Sequence, residues 1–294
     1  MLSLSSTAVI DALQDATQEN QLSHLRQGQT IHLPDQAGVE VIMTGDIHDH
    51  RSNLAKLIAF ANLRDNPHRH LVLHELIHGD HYDATGAEDS WNSLLLAAEL
   101  KLDFPQQVHF LLANHDLAQI HGEGISKGGT SVCEAFNKAV KRDFGSDADR
   151  VQVALTEFLL SFPLAVRSGD KLFFSHSLPN EDQIDAFDYS VFSRDLTGAD
   201  YAKRVGPVYQ LIWGRRATPD GVAKFLNNVE AQTLVTGHQP QESGYALNGE
   251  QHLIIASDHS QGVLLPIPLG QPYTAESLSN LLQKFVAIDL DPEG

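Results

Sequence analysis

The chain contains a single cysteine, Cys133, among its 294 residues. One cysteine excludes an internal disulfide and a zinc site built from several thiolates. Basic residues are also scarce, because 20 Lys and Arg stand against 38 Asp and Glu, which gives a net charge of −18 with histidine neutral. Such a charge repels a phosphate backbone, so general nucleic-acid binding through a basic surface is disfavoured.

Long apolar runs are missing as well. No run approaches the roughly 20 residues that a membrane-spanning helix requires. The first basic residue is Arg26, so the N-terminus lacks the charged start of a secretory signal peptide. From these two absences we expect a cytoplasmic protein without a membrane partner. Its 42% of apolar residues, 21 glycines and 12 prolines are ordinary for a globular chain.

The pattern of apolar residues predicts a single α/β domain. Residues 1–38 are interpreted as an N-terminal helix and an approach segment, and residues 39–294 as the main body of the domain. There, short apolar runs typical of strands alternate with segments whose apolar residues recur every three or four positions, as in helices. The strands that bear on function are predicted at 39–44, 71–77, 108–112, 171–174 and 233–236.

Histidine is unusually frequent, with 16 residues, and several histidines follow predicted strands. Five polar blocks stand at strand ends: Gly45-Asp46-Ile47-His48, Gly79-Asp80, Asn114-His115-Asp116, Ser175-His176 and Gly237-His238. Because the carboxyl ends of strands in an open α/β sheet face one crevice, these blocks can converge. Carboxylate, imidazole and amide donors without sulfur suit manganese, iron or zinc. The sequence therefore predicts a metal site.

In this order, the blocks resemble the calcineurin-like metallophosphoesterase superfamily, from about residue 41 to residue 265. The spacing of Asp80 and Asp83 and the ending Gly237-His238-Gln239-Pro240 are similar to the phosphoprotein phosphatase and diadenosine-tetraphosphatase branch. The resemblance implies a layered β-sandwich core flanked by helices, with a metal site at the carboxyl ends of strands. It also implies two divalent metal ions, with manganese favoured in vitro and iron or zinc as alternatives.

Carried over residue by residue, the resemblance implies six metal ligands: Asp46 and His48 for the first ion, Asn114, His176 and His238 for the second, and Asp80 as the bridge between them. It further implies a metal-bridging hydroxide as the nucleophile, His115 as the general acid and Asp83 as the carboxylate that orients it. An imidazole suits this role because it titrates near neutral pH. A carboxylate beside an imidazole raises its pKa and fixes its orientation.

One expected phosphate contact is missing. Relatives in this branch usually place an arginine directly after the second Asp of the Gly-Asp-x-x-Asp motif, and here that position is Ala84. An arginine fork gives bidentate phosphate contacts, so a replacement is expected. Arg215 is favoured because it follows Trp213 in a segment similar to one in bacterial and phage members. The other candidates for substrate contact are Arg216, Arg51, Arg194 and Asn114.

The remaining histidines near the first two blocks are open to two interpretations. The simpler one is that they are structural or exposed, and it applies to His50, His68, His70, His74, His78 and His81. The alternative is that His78 and His81, which flank Asp80, contact the metal ligands.

The six candidate metal ligands, together with His115 and Asp83, favour hydrolysis of a phosphate ester. The substrate is expected to be a phosphomonoester on a small molecule, a nucleotide, or a phosphoserine or phosphothreonine protein. A dinucleoside polyphosphate hydrolase or phosphodiesterase is the alternative activity, and a non-catalytic metal-bound scaffold is a third class. His115 and Asp83 argue against the scaffold, since a scaffold needs no general acid. The sequence leaves the oligomeric state open.

Overall fold

A computed structural model describes residues 5–34, 36–122, 125–127, 130–169 and 171–290, so the outermost residues of the predicted N-terminal segment and of the main body lie outside it. The helices in the described residues are α1 (Ser6–Gln21), α2 (Arg51–Ala61), α3 (Trp91–Asp103), α4 (Asn114–His121), α5 (Val132–Phe144), α6 (Ala148–Leu160), α7 (Pro207–Trp213), α8 (Pro219–Asn228) and α9 (Ala275–Ser279). The strands are β1 (Arg26–Gln27), β2 (Thr30–Leu33), β3 (Glu40–Thr44), β4 (Arg69–His74), β5 (Val108–Leu111), β6 (Ser126–Lys127), β7 (Thr130–Ser131), β8 (Ala165–Ser168), β9 (Leu172–Ser175), β10 (Thr233–Thr236), β11 (Tyr245–Leu247), β12 (His252–Ile255), β13 (Val263–Pro268) and β14 (Gln283–Lys284).

Two larger sheets form the centre of the molecule. One has seven strands in the order β1-β2-β8-β9-β10-β12-β11, and the other has five in the order β14-β13-β3-β4-β5. Strands β3, β4 and β5 run parallel to one another, as do β9, β10 and β12. The sheets face each other through one apolar cluster, to which β3 contributes Val41 and Met43, and β9 and β10 contribute Phe174 and Val235. The predicted α/β layered sandwich is confirmed.

Helices cover the outer faces of both sheets. On β3, Ile42 points away from Val41 and Met43 and joins a second apolar cluster with helical residues. Both faces of this strand are therefore buried, which explains its continuous apolar run. Helix α1 buries Leu13 in the same second cluster. Among the described residues, no helix combines the length and the apolarity needed to cross a bilayer.

The N-terminal segment belongs to these layers. Helix α1 is capped by Ser5, whose hydroxyl accepts a hydrogen bond from the Ala8 amide. Strand β2 pairs in parallel with β8 and so extends the seven-stranded sheet. Residues 6–33 thus supply a helix and two strands.

One strand ends earlier than predicted. The apolar run 71–77 suggests a strand throughout, but β4 ends at His74. Glu75 has a φ angle of 47° and His78 one of 64°, and this left-handed backbone cannot continue a strand. Leu76 and Ile77 are buried all the same, within the loop. The first acidic residue after β4 is therefore Glu75.

The core beneath β5 offers a test of the packing. Phe110 stacks on Phe162 at 4.4 Å between ring centroids and meets Phe158 edge-on at 5.4 Å. All three rings are buried, so Phe110→Ala should leave a cavity and lower the free energy of unfolding by about 3–5 kcal/mol. Urea denaturation measures the loss. Val153→Ala, at a side chain 57% exposed, should change it by less than about 0.5 kcal/mol. Equal losses in both variants would contradict this packing.

Candidate metal centre

The site forms where loops from the two sheets meet. The loops after β3, β4 and β5 come from one sheet, and the loops after β9 and β10 come from the other. The backbone amide of His238 donates a hydrogen bond of 2.9 Å to Asp46 Oδ1, which joins the two groups of loops. Gly237 makes this approach possible, because a Cβ there would lie 2.5 Å from Asp46 Oδ1. The predicted convergence of strand ends is therefore present.

Four candidate ligand atoms, one each from four buried side chains, lie close to one another. His176 Nε2 lies 2.8 Å from Asn114 Oδ1, 3.0 Å from His238 Nδ1 and 3.1 Å from Glu75 Oε2. One imidazole nitrogen carries at most one hydrogen, so it cannot donate to all three neighbours. A metal ion satisfies all four donor atoms at once. The donor set therefore fits a metal.

A second group lies on the other side of Glu75. Its Oε1 atom is 3.3 Å from His48 Nε2 and 3.5 Å from His115 Nε2, so the two carboxylate oxygens face different groups. His48 Nδ1 lies 3.0 Å from the Ile77 carbonyl oxygen. A carbonyl only accepts, so Nδ1 carries the proton and Nε2 presents its lone pair. Glu75 therefore contacts candidate ligands on both sides, His48 through Oε1 and His176 through Oε2.

The carboxylate of Asp46 also lies close to two histidine rings. Its Oδ1 atom lies 3.2 Å from His74 Nε2 and 3.7 Å from His176 Nδ1. Two groups of side chains have ligand atoms close enough together to hold a metal ion. One consists of Asp46, His74 and His176, and the other of His48, Glu75 and His115. The described residues thus contain two such groups.

The electrostatics leave these groups in the protonation states that metals require. Burial lowers the pKa of His176 well below its usual value. Burial and then the nearby Arg215 lower the pKa of His238 to about 3. Burial alone would raise the pKa of Asp46, but the imidazoles around it, chiefly His74, hold that pKa well below its usual value. Neutral imidazoles and an ionised carboxylate are the metal-binding forms.

The structure does not bring Asp80 to this centre. Asp80 is exposed and lies outside both groups, whereas Glu75 is buried, belongs to the group with His48 and His115, and lies 3.1 Å from His176 of the other group. The acidic residue that contacts both His48 and His176 is therefore Glu75, five residues before Asp80, because β4 ends at His74. The signal in the sequence is His74-Glu75 directly after the apolar residues Leu71-Val72-Leu73. Five of the six candidate ligands from the sequence do converge: Asp46, His48, Asn114, His176 and His238.

The first turn of α4 places Asn114 and His115. The Ala113 amide donates a 2.9 Å hydrogen bond to Asp116 Oδ2, which fixes the start of the helix. Burial raises the pKa of Asp116 to about 7. The His115 ring points toward the ligands, with Nε2 near Glu75 and Nδ1 on the opposite side.

The partner of His115 is His78 rather than Asp83. His78 Nδ1 lies 2.9 Å from His115 Nδ1, and His78 Nε2 lies 3.0 Å from Gln119 Oε1. The Gln119 amide nitrogen donates to Asn137, so its oxygen faces His78. His78 then carries its proton on Nε2 and accepts from His115 through Nδ1.

Asp83 points elsewhere. It pairs with the Arg142 guanidinium and accepts hydrogen bonds from Thr85 and from the Ala87 amide. These contacts lower the pKa of Asp83. Asp83, which the resemblance implies as the partner of His115, thus pairs with Arg142, and the residue that contacts His115 is His78, five residues earlier.

The other histidines divide between the site and the scaffold. The structural interpretation fits His70, whose ring pairs with His109 in the sheet interior, and His50, which caps α2. His68 and His81 are exposed. His74 and His78 belong to the site, so the structural interpretation of these two is not supported.

Of the four candidate arginines, Arg215 reaches the candidate ligands. Its Nε atom lies 2.9 Å from His238 Nε2, the ring nitrogen opposite the candidate ligand atom Nδ1. Arg51 pairs with Asp49 and Asp89, and Arg194 pairs with Asp188 and Asp200. Arg216 is exposed, and its backbone amide donates to Asn180.

Gly79, rather than Ala84, directly follows His78, the residue that contacts His115. A Cβ on Gly79 would lie 2.7 Å from the Cβ of Asp49, so this position has no room for an arginine.

Comparisons with known proteins agree with this geometry. The family model for calcineurin-like phosphoesterases matches residues 39–242. A protein serine/threonine phosphatase from Saccharomyces cerevisiae, described as similar to human phosphatase PP5, has a TM-score of 0.72 at 15% identity, covering 98% of this chain and 92% of its own. A cold-active protein-tyrosine phosphatase from a psychrophilic Shewanella species has a TM-score of 0.54 at 15% identity, covering 86% and 80%. No curated protein sequence matches significantly. The chain belongs to the calcineurin-like phosphoesterase family.

Proposed function

We propose that this metal-dependent, phosphatase-like hydrolase removes phosphate from phosphomonoesters through a two-metal centre. The proposed ligands are Asp46 and His48 for the first ion, Asn114, His176 and His238 for the second, and Glu75 as the bridge. The observation that carries this proposal is the position of Glu75, whose two oxygens lie 3.3 Å from His48 and 3.1 Å from His176.

The donor set narrows the choice of metal. Three imidazoles, two carboxylates and one amide oxygen favour manganese, iron or zinc over magnesium, which prefers oxygen ligands and water. Two divalent ions in such a site supply Lewis-acid activation of water and neutralise charge on the phosphoryl group. The chain's own contribution is to hold the ligands in their metal-binding states and to keep them away from bulk water.

His115 is the proposed general acid. Its Nε2 atom faces the centre, where a leaving oxygen would need a proton. Its Nδ1 proton is held by His78, and the tautomer of His78 is set by Gln119. A neutral imidazole thus orients the acid in place of the carboxylate that the sequence suggested. His78 is a positioning residue, since it acts through His115.

Arg215 is the proposed phosphate contact. The chain as a whole carries a net charge of −18, so an anionic substrate needs a local positive charge. Arg215 places its guanidinium beside the ligand His238 and is otherwise exposed, which leaves its remaining N–H groups directed toward solvent and an incoming phosphate. Asn114 offers its amide to the same region.

The proposed substrates are phosphomonoesters of serine, threonine or tyrosine in a protein, or of a small molecule. This choice is supported by the Saccharomyces and Shewanella structures, whose descriptions are those of protein phosphatases. A matched pair of generic substrates tests it. With Mn²⁺, p-nitrophenyl phosphate should be hydrolysed much faster than bis(p-nitrophenyl) phosphate, and a preference for the diester would reject a monoesterase.

The bridge is tested by exchanging one carboxylate at a time. Glu75→Gln keeps the side-chain size but removes the charge that two cations share, so metal binding should weaken by at least about tenfold and activity should fall to background. Asp80→Asn is the matched control and should keep both metals and activity. Elemental analysis and turnover of p-nitrophenyl phosphate measure the two effects. The reverse result would restore Asp80 as the bridge.

The role of His78 is tested through the leaving group. His78→Gly suits the left-handed backbone, removes the contact to His115, and should slow hydrolysis of alkyl phosphates about 10–100-fold. Hydrolysis of p-nitrophenyl phosphate should change little, because nitrophenolate leaves without a proton. His78→Asn returns an acceptor close to the position of Nδ1 and should recover most of the rate. Asp83→Asn should have no effect, and equal slowing of both substrates would refute the positioning role.

The phosphate contact is tested with neighbouring arginines. Arg215→Ala should lower kcat/KM by the equivalent of roughly 2–4 kcal/mol, the usual cost of losing a charge-assisted contact to the reacting group. Metal content should stay unchanged, because Arg215 supplies no ligand atom. Arg216→Ala, next in the chain, should be near wild type. If both variants lose the same activity, the guanidinium of Arg215 has no specific role.

A further inference from the structure

His74 is a buried histidine that the six proposed ligands leave unused. It is the last residue of β4, directly before Glu75, and its side chain is fully buried. Neither ring nitrogen has a hydrogen-bond partner within the described part of the chain. Buried polar atoms normally have partners, so a side chain with two unpaired ring nitrogens requires an explanation.

The ring is aimed at the metal centre. His74 Nε2 lies 3.2 Å from Asp46 Oδ1, and the ring meets the His176 ring edge-on at 5.2 Å between centroids. Atoms that bind one ion at about 2.1 Å are themselves roughly 3.0–3.4 Å apart in octahedral or tetrahedral geometry. The observed separation of 3.2 Å falls in this range.

The chain keeps this space open. Gly237 lies against the same two atoms, and a Cβ there would be 2.6 Å from His74 Nε2 and 2.5 Å from Asp46 Oδ1. Asp46 itself is held by the His238 amide. The His74 imidazole and the Asp46 carboxylate are thus fixed side by side, with only hydrogen on the opposing Cα.

We propose that His74 is a seventh metal ligand, which binds the same ion as Asp46 through Nε2. This inference rests on the proposed two-metal function and adds to it. The first ion then has two imidazoles, His48 and His74, together with the carboxylates of Asp46 and Glu75. Imidazole ligands favour zinc, iron and manganese over magnesium, so His74 makes this position selective for a transition metal.

A matched pair of variants tests the ligand role without relying on activity. His74→Leu removes the nitrogen atoms and keeps an apolar side chain of similar length. The control is His109→Leu on the neighbouring strand β5, because His109 is also buried and has an unpaired Nδ1. Titration calorimetry with Zn²⁺ should show that one of two sites is weakened at least tenfold in His74→Leu. The control should bind both ions as the wild type does.

A second measurement uses the wild-type protein and does not depend on the folding of a variant. In zinc-loaded protein labelled with ¹⁵N-histidine, ring-nitrogen chemical shifts distinguish zinc-bound imidazoles from the rest. Four zinc-bound imidazoles are expected, those of His48, His74, His176 and His238. Three, together with unchanged affinities in His74→Leu, would overturn the role of His74 and leave the proposed function intact. A wild-type protein that binds no zinc or manganese would overturn both.

Discussion

The hydrogen bond from the His238 amide to Asp46 Oδ1 joins the two sheets at the site, and the metal centre depends on this junction. Each sheet alone carries only part of the ligand set: Asp46, His48, Glu75 and Asn114 follow strands of one sheet, and His176 and His238 follow strands of the other. The apolar layer between the sheets fixes their separation. Because packed layers hardly deform, they hold the ligands at distances that a metal can use.

The ligand loops are held in a backbone conformation that most residues avoid. Five non-glycine residues at the centre have positive φ angles between 44° and 67°: His48, Asp49, Glu75, His78 and His238. Such conformations cost of order 1–3 kcal/mol each and persist only where surrounding structure enforces them. The buried strands β3, β4 and β10 supply that support, and the left-handed turns redirect consecutive side chains into one point. Strain at this site is thus the means by which short loops deliver several ligands.

The residues around Glu75 show how much of the candidate site can be predicted from sequence patterns. The order of the polar blocks identified the family, and five of the six candidate ligands lie in the centre. The sequence favours Asp80 as the bridge because Gly79-Asp80 matches a familiar spacing with Asp83 and because the apolar run 71–77 predicts a longer strand. A run of buried residues does not distinguish a strand from a buried loop, since Leu76 and Ile77 are covered in either case. That ambiguity shifts the expected position of the acidic residue and of the partner of His115 by the same five residues.

The sequence by itself determined the α/β class, the family, the sulfur-free ligand chemistry and most of the ligands, because strand-terminal residues are encoded by local pattern and order. Only the tertiary structure decided which carboxylate contacts both His48 and His176, which residue contacts His115 and which arginine reaches the candidate ligands. These depend on where β4 ends, on the left-handed turn at Glu75 and on the approach of Arg215 to His238 across the fold. Such choices are set by contacts between residues far apart in the chain, for which periodicity and spacing carry no information.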